Sequence, residues 1–167
     1  MGAAAQMPEP QINREFLRHT VATLAYRGGK VLRDVPEGFA QFRTADNVRT
    51  PGEILAHVGD LLDWALSMAK GNAVWYDTPA LEWRAGCERF YAALKMLDDY
   101  LVSAEPLATP VEALFQGPIA DALTHIGQVA MLRRMAGAPV KGENYYRAEI
   151  RAGRVGPEQA APRREFD

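Results

Sequence analysis

The stretch from Thr50 to Asn72 constrains the fold more than any other part of the chain. Thr50-Pro51-Gly52-Glu53 has the form of a capping box. A hydroxyl stands at the N-cap and a glutamate three residues on. Proline takes the first helical position, where its missing N–H would have had no partner anyway. Ile54, Val58, Leu61, Ala65 and Met68 then recur four and three apart, which is the seam of a helix packed in a bundle. Gly71-Asn72 supplies the stop.

Helical spacing appears three more times, and strand signals are poor. A first helix is predicted from about Gln11 to Leu32, with Ile12, Phe16, Thr20 and Leu24 on one face and Gly28-Gly29 weakening its last third. Pro36 to Arg49 reads as a turn-rich connection. Thr78-Pro79 repeats the start signal for a third helix, whose stripe is Cys87, Phe90, Leu94, Leu97 and Leu101. Pro106 and Pro110 break the chain before a fourth helix, predicted from near Pro118 to Gly137. Residues 1–10 are expected to be disordered, 11–137 to form the bundle, and 138–167 to be a tail partly packed on it. Within that tail, Lys141 to Ile150 is expected to be ordered and the last dozen residues loose. The expected fold class is therefore all-α, a four-helix bundle.

Composition narrows the partners. The chain has 167 residues, 48% of them hydrophobic and 24% charged, with a net charge of −2. That suits one domain with a sizeable core and gives no field for nucleic acid or an anionic membrane. No apolar run approaches the roughly 20 residues of a membrane span, and Met1 to Pro10 has no signal-peptide pattern. Cys87 is the single cysteine, which fits a reducing cytoplasm.

The informative residues are polar ones on predicted core faces. On a wheel of about 100° per residue, Asp121, His125 and Gln128 share a stripe with Leu132 and Met135. They are therefore expected to face inward, where an unpaired carboxylate is costly and needs a counter-charge. His57 lies three residues after Ile54 and four before Leu61, on the core side of the second helix. Asp121 and His125 are four apart, so their side chains can converge, and His57 supplies a third vertex. Two imidazoles and a carboxylate suit Zn, Fe, Mn or Ni and leave positions open. The plainer alternative is an Asp121–His125 hydrogen bond with His57 satisfied by a nearby oxygen.

The segments Arg49-Thr50-Pro51-Gly52-Glu53-Ile54-Leu55-Ala56-His57 and Thr124-His125-Ile126-Gly127-Gln128-Val129, followed by Leu132-Arg133-Arg134-Met135-Ala136-Gly137, carry a resemblance. From Gln11 to Gly137 the chain resembles the DinB-like (YfiT-like) family of metal-dependent four-helix bundles. That family places one metal histidine early in its second helix and two more, four apart, in its last. His57 matches the first and His125 the last, while Asp121 stands where the family has a histidine. The resemblance implies one divalent ion held by His57, Asp121 and His125. It also implies an enzyme that transfers or isomerises with a low-molecular-weight thiol co-substrate, or a metal-assisted hydrolase. The competing expectation is a non-catalytic, dimeric binding or stress-response module with a degenerate site. A homodimer is expected in either case.

Around this site, Gln128 could orient a bound water, and Asp60 is a candidate partner for the His57 imidazole, with a solvated face as its alternative. Glu53 is better explained by the capping box, and His19 by a half-buried structural role. Cys87 reads as core packing, Arg133-Arg134 as cations favoured at a helix C-terminus, and Trp64, Trp75, Trp83, Tyr145 and Tyr146 as core, interface or pocket-edge aromatics.

Overall fold

The computed structural model describes the backbone of residues 9–166 and the side chains of residues 11–166, so most of the predicted disordered N-terminus lies outside the described residues. Four long helices dominate: α1 (Glu9–Leu32), α2 (Pro51–Ala69), α3 (Trp83–Val102) and, after a short α4 (Val111–Leu114), α5 (Ala120–Met135). Helix α1 packs against α3 and α5, and α2 packs against the same two. That arrangement makes α2 and α5 neighbours, which is what the candidate site requires. Among the described residues no helix is long and apolar enough to cross a membrane.

Helix α2 begins as its sequence dictates. Glu53 N donates to Thr50 Oγ1 at 3.2 Å, and Thr50 N donates to Glu53 Oε2 at 2.7 Å. Its seam residues Ile54, Val58, Leu61 and Ala65 are buried. In α3, Phe90, Leu94, Leu97 and Leu101 reach the core as expected, and Cys87 lies half-buried at its edge. Each fully buried side chain of this size contributes roughly 1.5–3 kcal/mol of transfer free energy.

Of the face predicted for α1, Leu24 is buried and Thr20 half-buried, but Ile12 and Phe16 are not in the core. Phe16 is 67% exposed, Ile12 is exposed, and the buried residues are Leu17, Val21, Leu24 and Val31. The i+4 spacing of Ile12, Phe16 and Thr20 is real, but Leu17, Val21, Leu24, Gly28 and Val31 trace a parallel stripe about 100° round. Gly28 is what admits the core there: a Cβ on it would lie 2.6 Å from Phe90 Cζ, so the glycine lets the ring close onto the helix. His19, expected half-buried, is exposed on the outer face.

Two helix starts also differ. Helix α3 starts at Trp83, where the Glu82 carboxylate accepts from Arg84 N and Ala85 N, because Thr78 is engaged elsewhere. The last helical segment starts at Val111, and Pro118 lies inside it, within a π-helical turn spanning Phe115–Ile119. The wider turn accommodates a residue without an N–H donor, so proline does not end the helix.

The tail is held as far as Phe166. Strand β1 (Gly142–Glu143) pairs antiparallel with β2 (Glu165–Phe166). The buried Lys30 ammonium donates to Glu143 at 2.8 Å and Glu165 at 2.7 Å, and Tyr26 Oη donates to Glu143 at 2.6 Å. The segment expected to be loose is thus anchored, through Glu165 and Phe166, by charge and backbone pairing, which a loop-like composition conceals. Tyr146 is fully displayed to solvent and is not core material. Arg133 is buried and donates to the carbonyls of Val31, Arg33 and Asp34, so it caps the C-terminal end of α1 as well as standing at the end of its own helix.

Candidate metal centre

The capping box fixes the first turn of α2, and His57 follows one turn later on the side that meets α5. The π-helical turn sets the start of α5 and places Asp121 in its first turn, with His125 one turn on. Three side chains from two helices meet as a result. Asp121 Oδ1 lies 3.4 Å from His125 Nε2, and Asp121 Oδ2 lies 3.9 Å from His57 Nε2. The two imidazole rings are 4.7 Å apart between centroids and nearly perpendicular. One donor atom from each of the three residues lies within 4.8 Å of the others, so the group could hold a metal ion. Ligands at zinc-like bond lengths stand about 3.3 Å apart, so the cluster needs to contract by up to about 1.5 Å at its widest edge.

Burial does not support the site in the way the helical wheel suggested. The imidazoles are mostly covered, with 18% of the His57 side chain and 13% of the His125 side chain exposed, but Asp121 is 49% exposed. Gln128 and Met135 are exposed too, and the inward face of α5 is Ala122, Ile126, Val129 and Leu132. Asp121, His125 and Gln128 therefore lie on the flank of the helix, at the mouth of its groove with α2. A carboxylate half in water needs no counter-cation to survive, so the convergence of three donors, rather than a buried charge, recommends the site.

The electrostatics suit neutral imidazole donors. Burial holds the His57 pKa below the usual imidazole value, helped by neighbouring Arg49 and His125 and opposed by Asp121 and Asp60. His57 is thus unprotonated at neutral pH, as a metal ligand must be. His125 Nδ1 faces Gln128 Oε1 at 2.8 Å, an arrangement that places the ring proton on Nδ1 and leaves Nε2 free to coordinate. Gln128 was expected to face inward; it is exposed and touches His125 instead.

Asp60 is 2% exposed, and its hydrogen bonds go to other residues than His57. Thr78 donates to it twice, from N at 2.9 Å and Oγ1 at 2.6 Å, and Arg89 Nη2 donates at 2.7 Å. Arg89 also reaches Asp63 and the Ala56 carbonyl, and it passes so close to Gly59 that a Cβ there would be 2.7 Å away. Neither a solvated face nor a hydrogen bond to His57 describes Asp60: it ties the 70–82 connection and α3 to α2. That connection carries Trp75, which meets His57 edge-on at 5.6 Å and Trp64 at 5.8 Å. Trp75 is itself 44% exposed.

Sequence reasoning passed over Arg89 and Arg49. The signal for Arg89 was a carboxylate on a helix that is apolar or small nearly all round, which demands a buried cation. Arg49 joins Arg43, Asn47, His57, Asp77 and Thr78 around a cleft of about 520 Å³ beside the cluster. Cys87 is no candidate nucleophile, because burial pushes its thiol up to about 11. The structure thus brings together His57, Asp121, His125 and Gln128, and leaves Asp60 in a network of its own. Comparison with protein-family profiles, curated proteins and solved structures gives no match to this chain.

Proposed function

We propose that this chain is a metal-dependent enzyme of the DinB-like kind, binding one divalent ion through His57, Asp121 and His125. The observation that carries the reading is the convergence of those donors, from two helices, at 3.4 and 3.9 Å about a single carboxylate. Three further features support it. His57 is held neutral, His125 is oriented by Gln128, and the exposed side of Asp121 leaves room for another ligand. Three protein donors with an open side are the mark of a catalytic rather than a structural site. A bound ion would supply Lewis acidity, lowering the pKa of a coordinated thiol or water into the neutral range.

The side chains have separable parts in this reading. His57 and His125 give neutral nitrogen donors. Asp121 gives the negative charge that favours a harder ion such as Zn, Fe or Mn. Gln128 fixes the His125 tautomer. Trp75 shields the His57 ring from water and limits how a substrate approaches from that side. Substrates of thiol transfer or hydrolysis would enter over the exposed edge of Asp121.

Thermal unfolding of chelator-treated protein with added Zn, Ni, Mn or Fe tests the reading. An ion present at 100 times its Kd is expected to stabilise the fold by about 2.7 kcal/mol. Asp121→Ala should abolish that gain while leaving the metal-free melting temperature almost unchanged, because Asp121 is half in solvent. No gain with any of the four ions overturns the reading.

A further inference from the structure

The cleft beside the cluster has one unsatisfied cation. Arg43 is held by Glu53 at 3.1 Å and by the Val48 carbonyl at 2.6 Å. Asp60 is neutralised by Arg89 at 2.7 Å. Arg49 makes no hydrogen bond or ion pair among the described residues, yet it lines the same cleft as His57. The cleft's volume, about 520 Å³, is that of a small-molecule site. A guanidinium beside such a space presents a planar fork that matches a carboxylate in two parallel hydrogen bonds. Asp46 and Asp77 stand exposed on the same cleft without cations of their own, and they oppose a dianion such as phosphate.

We propose that Arg49 is a specificity-determining residue, and that the ligand of this cleft is a small molecule with one carboxylate, held by Arg49 while its other end faces the His57–Asp121–His125 cluster. This rests on the metal reading above. Arg49 selects the ligand and does not help to hold the ion: its charge opposes a cation at the neighbouring cluster. Removing it should therefore weaken ligand binding without weakening metal binding, two effects that a merely structural role would move together.

Calorimetry on the full chain separates the possibilities in two steps. Zn²⁺ is titrated first into wild type, Arg49→Gln and Arg49→Lys. Acetohydroxamate and succinate monohydroxamate are then titrated into the Zn-loaded proteins. The two probes share a metal-binding group, and only the second carries a carboxylate. The carboxylate is expected to raise affinity roughly tenfold in wild type, the scale of one charge-assisted bidentate pair. That gain should fall to about twofold or less in Arg49→Gln and be partly kept in Arg49→Lys. Zn²⁺ affinity in Arg49→Gln should equal or exceed that of wild type. An equal carboxylate gain in wild type and Arg49→Gln, or no binding of either probe to Zn-loaded protein, overturns the proposal and leaves the metal reading standing. A tenfold loss of Zn²⁺ affinity in Arg49→Gln also overturns it, by making Arg49 part of the site's structure. Absence of Zn²⁺ binding in wild type overturns both.

Discussion

Gln128 Oε1 lies 2.8 Å from His125 Nδ1, one helical turn along α5, and the contact decides which nitrogen of the imidazole is free to bind a metal. Gln128→Ala removes it without touching the core, since Gln128 is exposed. Loss of such an orienting partner lowers metal affinity by about 10–100-fold. The expected outcome is a fall of that size in a chelator-competition titration with Zn²⁺, with the metal-free melting temperature unchanged. An equal fall in melting temperature would mean that Gln128 holds the helix rather than the histidine.

The depressed pKa of His57 gives the metal-free protein a pH signature. Its imidazole binds a proton less readily in the folded chain than in the unfolded one. Both forms are neutral above the unfolded value of about 6.5, so stability is fully present there. As pH falls through that value the unfolded chain gains a proton first, and stability is lost until the folded pKa is passed. Urea unfolding at pH 7.5, 6.5 and 5.5 should show wild type weakening faster than His57→Gln. Parallel curves would remove burial as the control on this residue.

Asp60 and Arg89 form a buried pair, and breaking it leaves a charge behind. Asp60→Ala strands Arg89 and frees the Thr78 amide. A fully buried pair costs roughly 3–5 kcal/mol when one partner is removed. Arg89 is partly exposed and keeps Asp63 at 2.7 Å, so a loss of about 2–3 kcal/mol is expected in urea unfolding. Zn²⁺ affinity of the folded variant should stay within about threefold of wild type, because Asp60 does not touch the cluster. A larger drop would return Asp60 to the site.

Two glycines in helices should respond oppositely to alanine. Gly28→Ala puts a Cβ 2.6 Å from Phe90 Cζ, and overpacking of that kind costs typically 1–3 kcal/mol. Gly127 has open space where a Cβ would go, so alanine there should stabilise by about 0.5–1 kcal/mol through helix propensity. Denaturant midpoints at constant slope give both signs. Stabilisation by Gly28→Ala would show that Phe90 does not depend on the gap.

Local chemistry was the readable part of the sequence, and relations between helices were not. The Thr50 capping box, the α2 seam and the Phe90–Leu101 stripe depend on spacings within one helix, and they stand where the spacing put them. Which face of α1 turns inward depends on its partners, and two apolar stripes competed. Ile12 and Phe16 lost to the stripe that includes Gly28, a residue that looks like a weakness until Phe90 is seen against it. Pro118 misled for a similar reason, because a π-helical turn is not encoded by any single residue. For the site, the i,i+4 pair Asp121–His125 was legible because one helix dictates it, whereas its meeting with His57 depends on how α2 and α5 pack. Their degree of burial was not, because it is set by the width of the α2–α5 groove. The Asp60–Arg89 network escaped notice because its cation comes from α3, twenty-nine residues away along the chain.

In the proposed reading one metal ion joins α2 to α5. Anomalous scattering at the zinc edge, from crystals grown with Zn²⁺ and free of chelator, tests it most directly. A single strong peak is expected about 2.0–2.2 Å from His57 Nε2, His125 Nε2 and a carboxylate oxygen of Asp121. A map with no peak among those three side chains, and with Asp121 paired to His125 alone, would contradict it.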